Sequence, residues 1–110
     1  MSNETLHDLE RFRAALERRP KLLLFKHSPI CPVSADALGE WQAFRDAHPD
    51  VPTLFVDVIA DRSVARGLAQ ACGVPHQSPQ AILFRDGAAV WDASHGAITA
   101  ASLAEAWAGH

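Results

Sequence analysis

The chain has 110 residues, enough to fold around one core but not a large one. Ten Lys and Arg against thirteen Asp and Glu leave a formal net charge of −3, which excludes the basic footprint of a protein that binds nucleic acid or an anionic membrane. No apolar run approaches the roughly 18 to 20 residues of a membrane span, Met1 to Thr5 lacks the pattern of a secretory leader, and two cysteines make no disulfide framework, so one domain (1–110) in a reducing cytoplasm is expected.

The elements follow from hydrophobic period and punctuation. Leu6, Leu9, Phe12 and Leu16 outline the apolar face of a first helix, with Arg11, Arg13 and Glu17 turned to water, Asn3 or Thr5 as cap and Pro20 as its end. Lys21 to His27 reads as a strand covered on both faces, because its centre is Leu-Leu-Leu-Phe. A helix after Cys31 is expected to bury Val33, Leu38, Trp41 and Phe44 and to stop at His48-Pro49-Asp50. Thr53 to Ile59 is a second strand. Val64, Leu68 and Cys72 then fall on one face of a helix that Gly73 closes. After a Pro75 to Pro79 turn, Gln80 to Arg85 and Ala88 to Asp92 form a hairpin about Asp86-Gly87. Thr99 caps a last helix, with Ile98 stapled to Leu103 and Trp107 one turn on. The order α-β-α-β-α-β-β-α predicts an α/β fold: a four-stranded mixed sheet with helices on both faces.

The chemistry centres on Cys31. It stands between a strand and a helix, and Pro32 suits the first helical position. Cys31 is therefore the expected N-cap, its sulfur facing unpaired N–H groups and the positive end of the helix dipole, which favour thiolate over thiol. Ser34 occupies the place where a dithiol oxidoreductase carries its second cysteine, so C-x-x-S suggests a site with one exchanging thiol. Ser34 is also a candidate hydrogen-bond donor to the thiolate. The plainer reading is that Cys31 is a small buried hydrophobe; its Ser-Pro and Pro neighbours speak against that.

The other candidates carry weaker signals. His27, His76 and His95 can stabilise a thiolate or relay a proton, although each also reads as a loop histidine bonded to backbone. Cys72 is a candidate resolving thiol, opposed by the apolar face it shares with Val64 and Leu68, which predicts an inert thiol with a raised pKa. Trp91 reads as packing. Two other classes stay open. Cys31 with His27, His76 and His95 is a soft-ligand set for a metal or iron–sulfur module, but no C-x₂₋₄-C or H-x₃-H pair anchors one, so no metal is expected. A redox-inactive scaffold that only binds partners is the third.

A cysteine at the first strand-to-helix turn and a proline before the hairpin resemble the thioredoxin fold. Three segments sharpen the likeness: His27-Ser28 with Cys31-Pro32-Val33-Ser34, then Val74 and His76 with Ser78-Pro79-Gln80, then Trp91 with Ser94-His95 and Ile98-Thr99. Together they resemble the monothiol bacilliredoxin family, with Ile30 where that family usually has threonine and Val33 where it has isoleucine. The resemblance implies a thioredoxin-like domain with an extra N-terminal helix. It also implies thiol–disulfide exchange at Cys31 on client proteins capped with bacillithiol, which is the exchanged thiol rather than a bound cofactor. Ile30, Pro32, Ser78 and Pro79 would border the sulfur, Pro79 following a cis bond and Ser78 pairing through its backbone with substrate. An ordinary trans proline at a strand start is the alternative.

Overall fold

The computed structural model describes residues 3–110, and two of the residues at which a leader was sought, Met1 and Ser2, lie outside them. The strands are β1 (Asn3–Thr5), β2 (Lys21–His27), β3 (Thr53–Asp57), β4 (Gln80–Arg85) and β5 (Ala88–Ser94), and the helices are α1 (Leu9–Arg18), α2 (Pro32–Ala47), α3 (Arg62–Cys72) and α4 (Ala100–Gly109). One mixed sheet runs β1-β3-β2-β4-β5. β2 pairs parallel with β3 and antiparallel with β4, and the β4–β5 hairpin closes one edge.

The sheet has five strands, not four. The added strand, Asn-Glu-Thr, carries no apolar alternation because it is a short edge strand, and β3 supplies its backbone partners. Leu6 N–H extends that pairing to the Phe55 carbonyl at 2.7 Å, so Leu6 is buried ahead of α1 rather than on it. Asp8, not Asn3 or Thr5, caps α1 by accepting the Arg11 N–H at 2.8 Å. β3 stops at Asp57 instead of Ile59, because the Asp57 carboxylate accepts the N–H groups of Ile59 and Ala60 and bends the chain there. β5 continues past Asp92 to Ser94, paired with Gln80.

The turn and cap signals later in the chain hold. Gly73, at φ 70°, ends α3, and Asp86 and Gly87 both take positive φ, as a two-residue hairpin turn of this hand requires. Thr99 and Ser102 form a reciprocal capping box at α4, and Ile98 and Leu103 share one core cluster.

The sheet divides the core in two. On one face Leu22, Leu24, Leu54, Val56 and Ile82 pack with Phe12 of α1 and Val64 and Leu68 of α3. On the other, Leu23, Phe25, Ala81 and Leu83 pack with Trp41 and Phe44 of α2 and Leu103 of α4, Phe25 stacking on Trp41 at 5.0 Å. Val33, expected in this core, is exposed; Ala37 and Ser34 take the inward face of the first turns of α2.

Among the described residues one charged side chain lies inside. Lys26 is 0 % exposed, and its Nζ donates to Gln80 Oε1 at 2.9 Å. Gln80 in turn donates to the Pro75 carbonyl at 3.2 Å and accepts from the Gln77 N–H at 3.4 Å, so the pair ties β2 to the loop before β4. Burial lowers the Lys26 pKa to about 8, against an opposing pull from Cys72. An unfolded lysine titrates near 10.5, so between about 8 and 10.5 the unfolded chain holds more protons and stability rises with pH; below that window both states are protonated and the burial penalty is constant. In a Cys72→Ala background, urea midpoints should therefore climb across this window for Lys26 relative to Lys26→Met. Parallel pH profiles for the two would contradict the assignment.

Candidate active site

The site forms where β2 ends and α2 begins. Cys31 is the N-cap of α2, with extended backbone at φ −102° and ψ 122°, and Pro32 opens the helix. Its carbonyl accepts the Ala35 N–H at 3.1 Å, and its N–H reaches the Ser28 carbonyl at 3.3 Å, so the turn is closed on itself. The thiol is free and partly exposed, whereas the neighbouring Ile30 is 79 % exposed and stands out from the surface.

Ser34 is the residue that the fold buries beside it. At 0 % exposure its Oγ accepts the Ser28 N–H at 2.9 Å and lies 3.0 Å from His27 Nδ1. Burial holds the His27 imidazole below its ordinary pKa, partly offset by Asp57, so the ring is neutral near pH 7. The Ser34 hydroxyl accepts from Ser28 and shares a second hydrogen bond with His27 Nδ1. The hydroxyl is thus engaged by the turn and the histidine, and its bonding partners among the described residues do not include Cys31.

The second segment lies at the same end of the sheet. Pro79 follows a cis bond from Ser78 and precedes β4, whose first residue, Gln80, is the register partner of Lys26. Ser78 Oγ is buried with no hydrogen-bond partner among the described residues. The Pro79 carbonyl accepts the His95 N–H at 3.1 Å, which draws the third segment in. His95 has φ 55°, a left-handed backbone that costs a non-glycine residue, and this places it at the end of β5 over a groove shared with Val33, Asp36 and Glu40 of α2.

The three histidines stand in three different settings. His27 meets Ser34, His95 lies on the α2 side of the sheet, and His76 lines a separate cleft with Ile59, Arg62 and Arg66. Among the described residues no three His, Cys, Asp or Glu side chains come together as a metal set. Cys72 sits at the end of α3 on the opposite face from α2, its Sγ donating to the Leu68 carbonyl at 2.5 Å. Burial pushes its thiol up, more than the Lys26 charge brings it down.

Lys26, Ser28 and Gln80 belong to the site's framework, and none was singled out from sequence. Gln80 lay inside the Ser78-Pro79-Gln80 segment. Lys26 was legible only as the one charged side chain on a strand face otherwise formed by Leu22 and Leu24.

The comparisons with known proteins agree with this fold. Residues 4–103 match the family described as monothiol bacilliredoxin BrxC. The chain belongs to the monothiol bacilliredoxin family. It is similar to a solved thioredoxin-fold protein named as a candidate oxidoreductase, at 32 % identity and a TM-score of 0.87 over 94 % of this chain and 92 % of that one. Mitochondrial thioredoxin 3 of Saccharomyces cerevisiae aligns at 20 % identity and a TM-score of 0.77, covering 97 % of this chain and 94 % of the other. A thioredoxin of Halobacterium salinarum aligns at 17 % identity and the same TM-score, over 98 % and 89 %. These last two share the fold. The bacilliredoxin is thus a thiol oxidoreductase of thioredoxin fold, and no helix among its described residues is long and apolar enough to cross a membrane.

The Ser34 clamp gives a direct test. Ser34→Ala removes the acceptor of the Ser28 N–H in a buried setting, which should lower stability by about 1–3 kcal/mol in urea unfolding. A loss within about 0.5 kcal/mol, the range of an ordinary surface change, would contradict the clamp.

Proposed function

We propose that this bacilliredoxin removes bacillithiol, or a similar small thiol, from mixed disulfides on client proteins in a reducing cytoplasm, by a cycle that uses Cys31 alone. The observation that carries this reading is the contrast at α2. Cys31 is a partly exposed helix cap, and the position one turn on holds a fully buried serine bonded to Ser28.

In the first step the Cys31 thiolate attacks the small-thiol sulfur of the client's mixed disulfide. The client sulfur leaves as thiolate and takes up a proton, and the small thiol stays on Cys31. Ser34 has no sulfur with which to displace it, so release falls to a second molecule of free thiol. Cys31 caps α2 without a side-chain hydrogen bond to its N–H groups, so the helix dipole is what favours an anionic sulfur in attack and departure. Neutral His27, fixed through Nδ1 by Ser34, keeps its Nε2 as the ring nitrogen left to exchange a proton with a leaving thiol. Ile30, Pro32, Ser78 and Pro79 form the border a client meets, and the Ser78 backbone is the polar group offered to an extended segment.

Cys72 stays outside this cycle because its thiol is held protonated and bonded to Leu68. With a bacillithiol-capped client protein and excess free bacillithiol, Cys31→Ser should abolish recovery of the client thiol, whereas Cys72→Ser should retain the wild-type rate within about twofold, a difference under about 0.5 kcal/mol in barrier. Activity surviving in Cys31→Ser would remove the reading; loss in Cys72→Ser would assign resolution to that thiol.

A further inference from the structure

A second cleft, about 250 Å³, opens where β3 passes into α3, lined by Val58, Ile59, Arg62, Ala65, Arg66 and His76. Val58 and Ala65 are buried in its floor, and Ile59 is 42 % exposed at its edge. Arg62 and Arg66 are four residues apart in α3 and so stand on one face. Among the described residues neither arginine has an ion-pair or hydrogen-bond partner. The neighbouring carboxylates are engaged elsewhere, Asp57 with the N–H groups of Ile59 and Ala60, and Asp61 with His7 at 3.0 Å. Burial first, then the charges of Lys26 and Arg66, hold His76 below its ordinary pKa, so cationic groups face it from two sides.

This cleft lies at the same end of the sheet as the thiol. His27 and Asp57 are register partners at the ends of β2 and β3, and the Val58 N–H donates to the His27 carbonyl at 2.9 Å. His76 stands two residues before Ser78. Paired guanidinium groups beside an apolar floor, bonded to no carboxylate among the described residues, are a donor set for a carboxylate at the end of a short carbon chain.

We propose that Arg62 and Arg66 bind a carboxylate of the small thiol that Cys31 exchanges, with the intervening chain lying over Ile59. The inference rests on the exchange reading and adds how the small thiol is recognised. Chemically, the Cys31 thiolate attacks one sulfur of a small disulfide, that sulfur–sulfur bond breaks, a new one forms to Cys31, and the departing thiolate takes a proton from water.

The test compares two probes with one disulfide core, glutathione disulfide and its diethyl ester, in which the two glycine carboxylates are esterified. Formation of the Cys31 adduct is followed by intact mass for the wild type, for Arg62→Gln/Arg66→Gln, and for Arg13→Gln/Arg19→Gln, which removes the same charge from α1 and its C-terminal cap. The wild type and the α1 control should react faster with the acid than with the ester by about tenfold, roughly one charge-assisted hydrogen bond. The α3 double variant should lose that preference while keeping its rate with the ester. A preference absent from the wild type, retained in the α3 variant or lost equally in the α1 control would overturn the cleft as the carboxylate site and leave exchange at Cys31 intact. Reaction of the wild type with neither probe would overturn the exchange reading and this inference with it. A third substrate, glutathionylated serum albumin, separates the small thiol from an acidic client surface: an α3 variant slowed only with the capped protein would assign the arginines to the client and overturn the proposal.

Discussion

The site depends on one hydroxyl. Ser34 Oγ is fully buried, accepts the Ser28 N–H and lies within hydrogen-bond distance of His27 Nδ1, so it fixes the β2–α2 turn and the orientation of the imidazole together. A sulfur there would be larger and a weaker hydrogen-bond acceptor, and would give the turn a second nucleophile. The serine instead spares the buried N–H an unsatisfied state that costs about 1–3 kcal/mol. The same atom that stabilises the turn therefore sets the number of exchanging thiols at one.

The rest of the fold delivers partners to that turn from both faces of the sheet. β2 alternates, sending Phe25 and His27 toward α2 and Leu24 and Lys26 toward α1 and α3. Lys26 and Gln80 hold the loop that carries His76 and Ser78, while the Pro79 carbonyl holds His95. A charge inside an apolar core is costly, and Lys26 answers that cost partly by a lowered pKa and partly by its bond to Gln80. Its position beneath the loop shows what the buried polar pair does: it joins the central strand to the segment bordering the thiol.

Much of this was legible in the residues. The apolar run of β2, the Asp-Gly hairpin, the Gly73 stop and the Thr99 cap are local signals, and each matched the structure because local chemistry and tertiary packing agree there. β1 was not legible, since three polar residues on a sheet edge gain their stability from β3 and carry no period of their own. The inward face of α2 was misread at Val33 because the first turn turns Ser34, not the larger apolar side chain, to the core. Cys31 and Ser34 were found by spacing, and the three histidines were found as a class. Their different settings were not, because His27 ends β2, His76 lies in the loop before β4 and His95 follows β5, and the whole sheet decides what each one meets. Arg62 and Arg66 carried no sequence signal, because what marks them is that their carboxylate neighbours are bonded elsewhere.

The central claim is that exchange at Cys31 ends in a mixed disulfide that this chain cannot resolve by itself. Single-turnover reaction with a bacillithiol-capped client, quenched by acid and followed by intact mass, measures it directly. The account predicts a persistent gain of one small thiol on Cys31, cleared only when free thiol is added. Loss of two hydrogens in the wild type, absent from Cys72→Ser, would mean an internal Cys31–Cys72 disulfide and would contradict it.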